Sequence, residues 1–573
     1  MKQSSSRLLI GAALAAISLS AVACTGVVDG TGTTPPGGSG GSGNPVNPGM
    51  TGGTGGSPGM PGMPGGDQPA AHMHRLTASQ FSNSLHDLLG AGAPVGALDP
   101  DQPTGGFVSI GSSAIVSSAS GVGLYEGAAE TATAWLFADP ARAAAALACV
   151  PKAATDTMCA SEAIAALGRR AYRRALTSEE TNRLVMLATM VATQQGGTMA
   201  LGMQAALSAI LQSPNFLYRV ELGAPSAADG GRLKYDSYEM ASRLASTLWN
   251  TVPDSALLDA AGKGGGLSTA DSVVAQAKRM LADPRAHQGL TAFVDDLYAL
   301  HYLEDAQPDP TIFPGFTPTL RAAMHTELQM RVDDMVFGSR GDFLSLFDSK
   351  TAFVNNELAM HYGLPTAATD GFRKVDLPAN SPRAGILGSG AILAGLALPQ
   401  RTAPTRRGKF VREAVLCETI PPPPSDVVPM LPPPTDPSDT MRQRLSQHRV
   451  NPSCASCHSL VDPLGFGLEN FDAVGKFRSL ENGKPVDATG DLDGVKFDGL
   501  AQMGAALRRA AVTGPCFVSK LYMNAQGRLA VDRDAAILDK LAADFAASGN
   551  KADQLITNLV SSEPFRFVEP TKK

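Results

Sequence analysis

Two cysteines and a histidine stand together at Cys454, Cys457 and His458, in the order Cys-x-x-Cys-His. Two thiols one helical turn apart can form thioethers with the two vinyl groups of a haem, and the imidazole that follows can bind the iron. The spacing therefore predicts one covalently bound haem c, held by Cys454 and Cys457, with His458 as the axial ligand of the iron.

A zinc site and a disulfide are the alternatives to haem attachment for this cysteine pair. A zinc site needs four ligands, and the sequence has no second Cys-x-x-Cys to supply the missing pair. A redox disulfide of the thioredoxin kind needs a setting of parallel strands that the surrounding residues do not indicate. A plain structural disulfide between Cys454 and Cys457 stays open as the alternative.

The sequence singles out no sixth ligand for the iron. A methionine would raise the reduction potential relative to a second histidine. For each candidate, packing or simple surface exposure is the plainer interpretation. The candidates are Met430, Met441, Met503, Met523 and His448.

Basic side chains near the motif offer a further role. Guanidinium and ammonium groups can pair with haem propionates, and arginine matches the geometry of a carboxylate especially well. A solvated basic face is the other interpretation. The residues are Arg406, Arg407, Lys409 and Arg449.

The remaining cysteines of the body fall into two pairs. Cys149 and Cys159 lie on either side of a short loop, which a disulfide can close between two helices. Cys417 and Cys516 are far apart in sequence, and both a long-range disulfide and two buried free thiols stay open for them.

The first residues have the layout of an export signal. Lys2 and Arg7 precede an apolar stretch over residues 8–23, which is too short for a comfortable membrane span and ends at Cys24. Residues 21–24, Ala-Val-Ala-Cys, are similar to a bacterial lipobox, in which the cysteine becomes the first mature residue and is acylated. We expect lipidation of Cys24; an ordinary signal peptide cut nearby, with Cys24 a free thiol, is the alternative.

A Gly- and Pro-rich segment follows the leader. Residues 25–71 contain 17 Gly and 8 Pro, with Asp29 and Asp67 as the only charged side chains. Such a composition cannot bury a core, so it predicts a disordered tether that holds the body away from a membrane surface.

Length and composition bound the protein class. The chain has 573 residues, several times the usual size of a domain, and 43% of them are hydrophobic. These values predict several folded modules and exclude a wholly disordered chain. The net charge is −6 and no long basic stripe occurs, so nucleic acid is not an expected partner.

The body is predicted to be mainly α, because Ala- and Leu-rich segments of helical length alternate with Pro, Gly and Asp. We expect helices at residues 75–90, 160–172, 178–193, 200–211, 238–248, 270–281, 286–300 and 320–336. Strand signals are sparse. Two proline runs, at residues 421–424 and 432–434, predict an extended strap in the polyproline II conformation.

These patterns divide the chain into consecutive modules. We expect a signal peptide (1–23), a lipidated, disordered linker (24–71), an N-terminal helical module (72–148), a helical module with a cysteine pair (149–212), a central helical module (213–342), a module with the proline strap and the Cys-x-x-Cys-His motif (343–480) and a C-terminal helical module (481–573). The part around the motif is expected to be cytochrome-c-like.

Motifs of other enzymes are missing. The sequence has no nucleophile elbow, no His-Glu-x-x-His, no P-loop and no dinucleotide fingerprint, so it assigns no reaction and leaves open whether the protein is an enzyme. The acidic stretch at residues 487–494 lacks the spacing and the closing Glu of a calcium loop, and its Asp and Gly residues predict a turn instead.

The residues around the motif resemble a known family. Residues 448–458, His-Arg-Val-Asn-Pro-Ser-Cys-Ala-Ser-Cys-His, are followed at 462–472 by Asp-Pro-Leu-Gly-Phe-Gly-Leu-Glu-Asn-Phe-Asp. This is similar to the large exported bacterial proteins built from consecutive domains of unknown function, whose central module is number fifteen-ninety-two of that series. Further matching pieces lie at residues 75–77, 87–90, 168–174, 215–219, 241–244, 283–286, 356–364, 401–410, 521–528 and 561–566.

The resemblance implies the order of the modules, export and a cytochrome-like use of the motif, and it implies no substrate. Together the patterns predict a cell-envelope lipoprotein, anchored to a membrane by lipid, that carries one haem in electron transfer or redox chemistry with a redox or envelope protein as partner. A haem enzyme with an open sixth position lies close to this hypothesis. The alternative is a non-catalytic envelope protein that binds polysaccharide or protein and has purely structural cysteines.

Overall fold

The computed structural model describes residues 73–114, 117–229, 232–264, 266–421, 431, 436–450 and 452–568, without the side chains of Ala114, His448, Pro452 and Ser453. The predicted signal peptide, Cys24 with its predicted lipid, the predicted tether and Met430 lie outside these residues. So do the two proline runs, apart from Pro421.

Helices dominate the described residues, as predicted, because many segments begin with a residue that caps the helix. Thr177 accepts a hydrogen bond from the N–H of Glu180 while the Glu180 carboxylate accepts one from the N–H of Thr177, and Asp236 and Glu239 form the same reciprocal pair. These pairs satisfy N–H groups that have no partner within the helix. The helices at 178–193 and 270–281 have the predicted bounds.

The first core is built mostly by helices that precede residue 217, although Ile110 of the helix Val108–Ala114 packs in the third core described below. Phe81, Ile164, Leu207 and Phe216 are buried together in it. The elements are β1 (Met73–Arg75), α1 (Ala78–Leu89), α2 (Val108–Ala114), α3 (Ala119–Phe137), α4 (Pro140–Ala146), α5 (Thr157–Ala171), α6 (Ser178–Thr193), α7 (Met199–Gln212), α8 (Pro214–Leu217) and β2 (Tyr218–Val220), with β1 antiparallel to β2.

The second core surrounds Trp249, whose side chain is fully buried. Its indole N–H donates to the carbonyl of Met280 over 2.9 Å, and the guanidinium of Arg285 lies 3.6 Å from the ring centre. Val560 and Phe565 join this core from the far end of the chain. The elements here are β3 (Ala224–Pro225), β4 (Leu233–Lys234), α9 (Ser237–Leu248), α10 (Ser255–Gly262), α11 (Ala270–Leu281) and α12 (Ala286–Leu297).

The third core is the largest and takes in most of the remaining chain, with Phe343, Leu387, Leu464 and Tyr522 among its buried side chains. The remaining helices of the chain, of which α18 and α24 contribute no side chain to this core, are α13 (His301–Glu304), α14 (Pro318–Asp333), α15 (Asn356–Tyr362), α16 (Gly390–Gly395), α17 (Pro404–Phe410), α18 (Met441–His448), α19 (Pro452–Phe466), α20 (Gly499–Arg509), α21 (Thr513–Gln526), α22 (Ala535–Ala547), α23 (Ala552–Ser561) and α24 (Glu563–Arg566).

Strands are short, and in the described residues each one pairs with a single antiparallel neighbour. Besides β1 with β2 and β3 with β4, the pairs are β5 (Thr351–Val354) with β6 (Arg373–Asp376), β7 (Leu480–Glu481) with β8 (Lys484–Pro485) and β9 (Thr489–Leu492) with β10 (Val495–Asp498).

The three cores cut across the consecutive modules expected from the sequence. Residues of the expected modules 72–148 and 149–212 share the first core, and the expected central module contributes to all three. The module boundaries themselves stay predictions. The folded segments do not each enclose a separate core, since buried apolar side chains of distant segments pack on one another.

Candidate functional site

The Cys-x-x-Cys-His motif lies on α19. Cys454 is buried, with 7% of its surface exposed, and Cys457 is half-buried one turn further along. Both are free thiols, so the disulfide that the sequence left open between them is not formed in this structure. Their spacing of one turn places both thiols on the same side of the helix.

His458 is held from the next turn of α19 by a carboxylate. Its Nδ1 lies 3.1 Å from Oδ1 and 3.0 Å from Oδ2 of Asp462. Asp462 is fully buried, and the hydroxyl of Thr405 donates to its Oδ1 over 2.8 Å. A carboxylate that accepts a hydrogen bond from Nδ1 fixes the tautomer and the orientation of the ring, and in that tautomer Nε2 is the nitrogen with the lone pair that a metal would need.

Thr405 comes from α17, which crosses α19 at very short distance. A Cβ on Gly408 would lie 1.8 Å from the carbonyl oxygen of Val461, and one on Gly465 would lie 1.9 Å from that of Pro404. Only glycine at both positions permits this approach, because no Cβ atom fits so close to a backbone oxygen. The crossing is what brings the Thr405 hydroxyl to the carboxylate beside His458.

Arg407 does not serve as a partner for haem propionates, and that prediction is wrong for this residue. Its side chain is fully buried. One terminal nitrogen donates to the carbonyls of Leu468 and Phe471, each over 2.9 Å, and the other donates to Leu393 and Asp472 over 3.1 and 2.8 Å. Arg407 therefore organises the chain that leaves α19, and a single sequence gives no sign of this burial.

Glu469 is buried next to Arg407. Its carboxylate lies 3.2 Å from the Arg407 guanidinium, 2.9 Å from that of Arg478 and 2.6 Å from the hydroxyl of Thr402. Burial raises the pKa of Glu469, and the two arginines oppose the shift. This cluster stabilises the segment behind the motif helix and is a structural feature.

The other predicted basic residues lie nearer to solvent. Arg406 and Lys409 are exposed on α17, and Lys409 Nζ lies 3.5 Å from the Glu413 carboxylate. Arg449 is half-buried. For these three residues the propionate contact stays a prediction.

The candidates for the sixth ligand are scattered over different environments. Met503 and Met523 are buried in the third core. The Met441 sulfur accepts hydrogen bonds from Arg401 at 3.5 Å and from Arg444 at 3.9 Å. Met430 and the side chain of His448 lie outside the described residues.

Both predicted disulfides of the body are confirmed. Cys149–Cys159 joins the turn after α4 to the first turn of α5, with 5.5 Å between the Cα atoms. Cys417–Cys516 spans 99 residues and joins the segment after α17 to the first turn of α21, with 5.3 Å between the Cα atoms. The second bridge encloses the whole motif helix.

The acidic stretch at 487–494 is a hairpin turn, as the sequence predicted. Asp493 and Gly494 both have positive φ and connect β9 to β10. Asp491 accepts from the N–H of Gly494 and pairs with Lys496, and Asp493 pairs with Arg412. The carboxylates are thus engaged in a turn and in ion pairs.

Metal clusters and membrane spans are both missing from the described residues. In the part of the chain that the structure describes, no group of three His, Cys, Asp or Glu side chains is placed to hold a metal ion. Over the same residues, no helix is both long enough and apolar enough to cross a membrane.

Five protein-family models match the chain, each described as a protein of unknown function. In chain order they are DUF1587 at residues 74–138, DUF1595 at 159–221, DUF1592 at 235–364, DUF1588 at 383–481 and DUF1585 at 493–565. The chain carries five consecutive domains of unknown function. No curated protein and no solved structure matches it.

The DUF1592 domain is the central one of the five, as the resemblance implied. The DUF1588 domain contains the complete motif together with Thr405, Arg407 and Asp462, so the site around His458 is built within one domain. Sequence reasoning missed Thr405 and Asp462. An acid four residues after the histidine, a spacing that brings two side chains together on one face of a helix, was the one signal that could have pointed to Asp462.

Proposed function

We propose that this protein is an exported lipoprotein of the cell envelope that binds one haem c covalently at Cys454, Cys457 and His458, and that it takes part in electron transfer or redox chemistry. The observation that carries the proposal is the pair of free thiols on one helix, followed by an imidazole whose Nδ1 is held by a buried carboxylate. The region around α19 would then be cytochrome-c-like.

The thiols and the imidazole of the motif are the groups that haem c needs for attachment. Cys454 and Cys457 would form the thioethers, and His458 would bind the iron through Nε2. A bound haem c supplies one-electron redox chemistry. Asp462 holds the Nδ1 proton of His458 in a hydrogen bond, and with haem bound this contact would favour the oxidised iron and lower the reduction potential.

The location in the envelope is supported by separate features. The leader with Cys24 and the Gly-rich tether fit export and lipid anchoring to a membrane. The two disulfides of the body fit an oxidising compartment, where attachment of haem c also takes place. A second redox protein of the envelope is the partner that this chemistry requires.

The test is expression of the full chain, with its leader, in a bacterium that attaches haem c to exported proteins. We expect an intact mass raised by one haem and a Soret absorption band. The Cys454→Ser/Cys457→Ser variant should lose both, while Cys149→Ser/Cys159→Ser, which removes a disulfide elsewhere, should keep both. A folded protein with neither the added mass nor the band would falsify the haem proposal.

The same experiment bears on the non-catalytic alternative. If the protein folds without haem, and if Cys454→Ser/Cys457→Ser/His458→Ala folds and retains its envelope partner, the motif has no redox role. Lipidation is tested separately, because Cys24→Ser should release the protein from the membrane fraction without changing haem content.

A further inference from the structure

A cavity of about 700 Å³, whose wall includes no residue of the motif, lies between α12 and α13 on one side and α17 and α21 on the other. This is within the size range of small-molecule sites, about 300–1,000 Å³. Its wall includes the apolar side chains of Phe107, Leu297, Leu396 and Phe410 and the charged side chains of Asp296, Arg406, Lys409, Glu413, Glu418 and Lys520.

Lys520 is the unusual member of this wall. It lies on α21 with only 8% of its surface exposed, and no described residue accepts a hydrogen bond from it or forms an ion pair with it. Burial lowers its pKa, and the more distant charge of Glu413 opposes the shift. Burying a lysine ammonium without a counter-ion costs free energy of folding. The unpaired ammonium of Lys520 therefore points to an anionic group of a ligand that pairs with it on binding.

The acidic residues of the wall do not supply that group. Glu413 lies 3.5 Å from Lys409, and Glu418 accepts from Arg412 over 2.9 Å. Each of these acids therefore has its own cation. The ammonium of Lys520 is left facing the cavity, and the exposed Arg406 lines the same space without an ion-pair partner among the described residues.

Asp296 also faces the cavity, and its carboxyl differs from those of Glu413 and Glu418 in that no cation that the structure describes is paired with it. It accepts a hydrogen bond from the N–H of Val108 over 3.0 Å, and burial raises its pKa to about 7. Near neutral pH a large share of this carboxyl is protonated and can donate to an oxygen of a ligand. It therefore does not repel an anion as an ionised aspartate would.

From these contacts we infer that the cavity binds a small organic acid, with the carboxylate of the ligand on the Lys520 ammonium and its apolar body against Phe107, Leu297 and Phe410. The charged and apolar parts of the wall match the two parts of such a molecule. The lining includes none of the three motif residues: Thr405 of α17 contacts Asp462 beside the motif, whereas Arg406, Lys409 and Phe410 of the same helix line the cavity.

The test uses calorimetric titration of the full chain with hexanoate and with 3-phenylpropionate, and with 3-phenylpropionamide as the neutral counterpart. We expect both acids to bind and the amide to bind at least about tenfold more weakly, which corresponds to about 1.4 kcal/mol. Lys520→Met should lower the affinity for both acids by a similar factor. The control is Lys540→Met, since Lys540 is an exposed lysine paired with Asp544 on another surface. This variant should bind both acids with the affinity of the unsubstituted protein.

Three results overturn the inference: no binding of either acid at millimolar concentration, equal binding of acid and amide, or unchanged binding by Lys520→Met. The comparison of acid with amide needs no variant, so it decides the question even if Lys520→Met does not fold. Because the inference does not rest on haem, Cys454→Ser/Cys457→Ser should bind the acids as the unsubstituted protein does.

Discussion

At the scale of single residues, the molecule buries charge next to the groups it has to orient. Asp462 has no exposed surface, and its hydrogen bonds come from the imidazole of His458 and the hydroxyl of Thr405. A buried carboxylate needs such donors, since removing it from water is expensive. Asp462 is therefore a positioning residue for His458, and under the haem proposal its effect should be measurable on the potential of the iron rather than on attachment of the haem.

Asp462→Asn is expected to raise the midpoint potential of the haem-loaded protein. An amide accepts a weaker hydrogen bond from Nδ1 than a carboxylate does, so the imidazole becomes a poorer donor and the reduced iron is favoured. Spectroelectrochemical titration measures the change. Asp487→Asn, at an exposed turn, is the control and should leave the potential unchanged; an unchanged or lower potential in Asp462→Asn would contradict the assigned role.

Arg407→Met is expected to lower the free energy of unfolding by about 3–5 kcal/mol, because it removes a buried cation and leaves Glu469 and several carbonyls short of a donor. The neighbouring Arg406 is exposed, and Arg406→Met should change the unfolding free energy by less than about 0.5 kcal/mol. Urea unfolding of both variants makes the comparison. Equal effects at the two positions would contradict the structural role of Arg407.

Asp296 predicts an unusual dependence of stability on pH. Burial raises the pKa of Asp296 from 3.8 to about 7. The stability that comes from protonation of this carboxyl is fully present below pH 3.8 and is lost as the pH rises through about 7. Asp296→Asn keeps an acceptor for Val108 and has no charge to bury. We expect this variant to exceed the unsubstituted protein in unfolding free energy at pH 8.5, by about 1 kcal/mol or more, and the difference to shrink at pH 5. The exposed Asp539→Asn should show no such trend.

At the scale of elements, the crossing of α17 and α19 is the contact that assembles the candidate site. Gly408 and Gly465 let the two backbones meet, and the disulfide Cys417–Cys516 ties the chain beyond α17 to α21. A wider crossing would withdraw Thr405 from Asp462. The distance between two helices thus controls a hydrogen bond to the carboxylate that holds His458.

Gly408→Ala is expected to destabilise the fold by about 1–3 kcal/mol, because the new methyl group would overlap the carbonyl of Val461. Gly123 on α3 is the matched control, since nothing lies within 4 Å of the position of its Cβ. Gly123→Ala should be neutral or stabilising by up to about 1 kcal/mol. Thermal unfolding of the two variants gives the comparison, and a neutral Gly408→Ala would rule out the tight crossing.

Much of this element structure could be predicted from the sequence. Helices such as α6 and α11 follow from Ala, Leu and capping residues that lie within one segment of the chain. The role of Arg407 could not be predicted, because its burial depends on carbonyls some 60 positions further along, at Leu468 and Phe471. The same reason applies to Thr405 and Gly408, whose roles exist only once two distant helices touch.

At the scale of the whole molecule, one buried cluster of charges connects the two ends of the described chain. Arg243 of α9 pairs with Glu221, donates to the carbonyl of Phe565 over 3.1 Å and donates to Gln526 over 3.1 Å. His74 of β1 lies 3.4 Å from the same Glu221. The two arginines beside Glu221 hold its pKa well below the ordinary value, against the opposing effect of burial. Four of the five domains meet at this cluster.

Arg219 lies 2.7 Å from the Glu221 carboxylate and is half-buried, whereas Arg243 is buried. Glu221→Gln is expected to cost about 3–5 kcal/mol of unfolding free energy, because both arginines would lose their acid. Glu563→Gln breaks an exposed pair with Arg232 and should cost less than about 1 kcal/mol. Chemical unfolding followed by circular dichroism measures both. Similar small losses at the two positions would show that the buried cluster does not hold the domains together.

The bridge between Cys417 and Cys516 has a consequence for biogenesis. The loop it closes contains Cys454 and Cys457, so four cysteines lie within one stretch of 100 residues. Four cysteines can form two disulfides in three ways, and an oxidising compartment favours any of them before the chain has folded. If the protein binds haem as proposed, its maturation requires that Cys417 and Cys516 be oxidised while Cys454 and Cys457 stay reduced until the haem is attached. Under that proposal, the order of these two reactions decides how much of the newly made chain becomes haem-loaded protein.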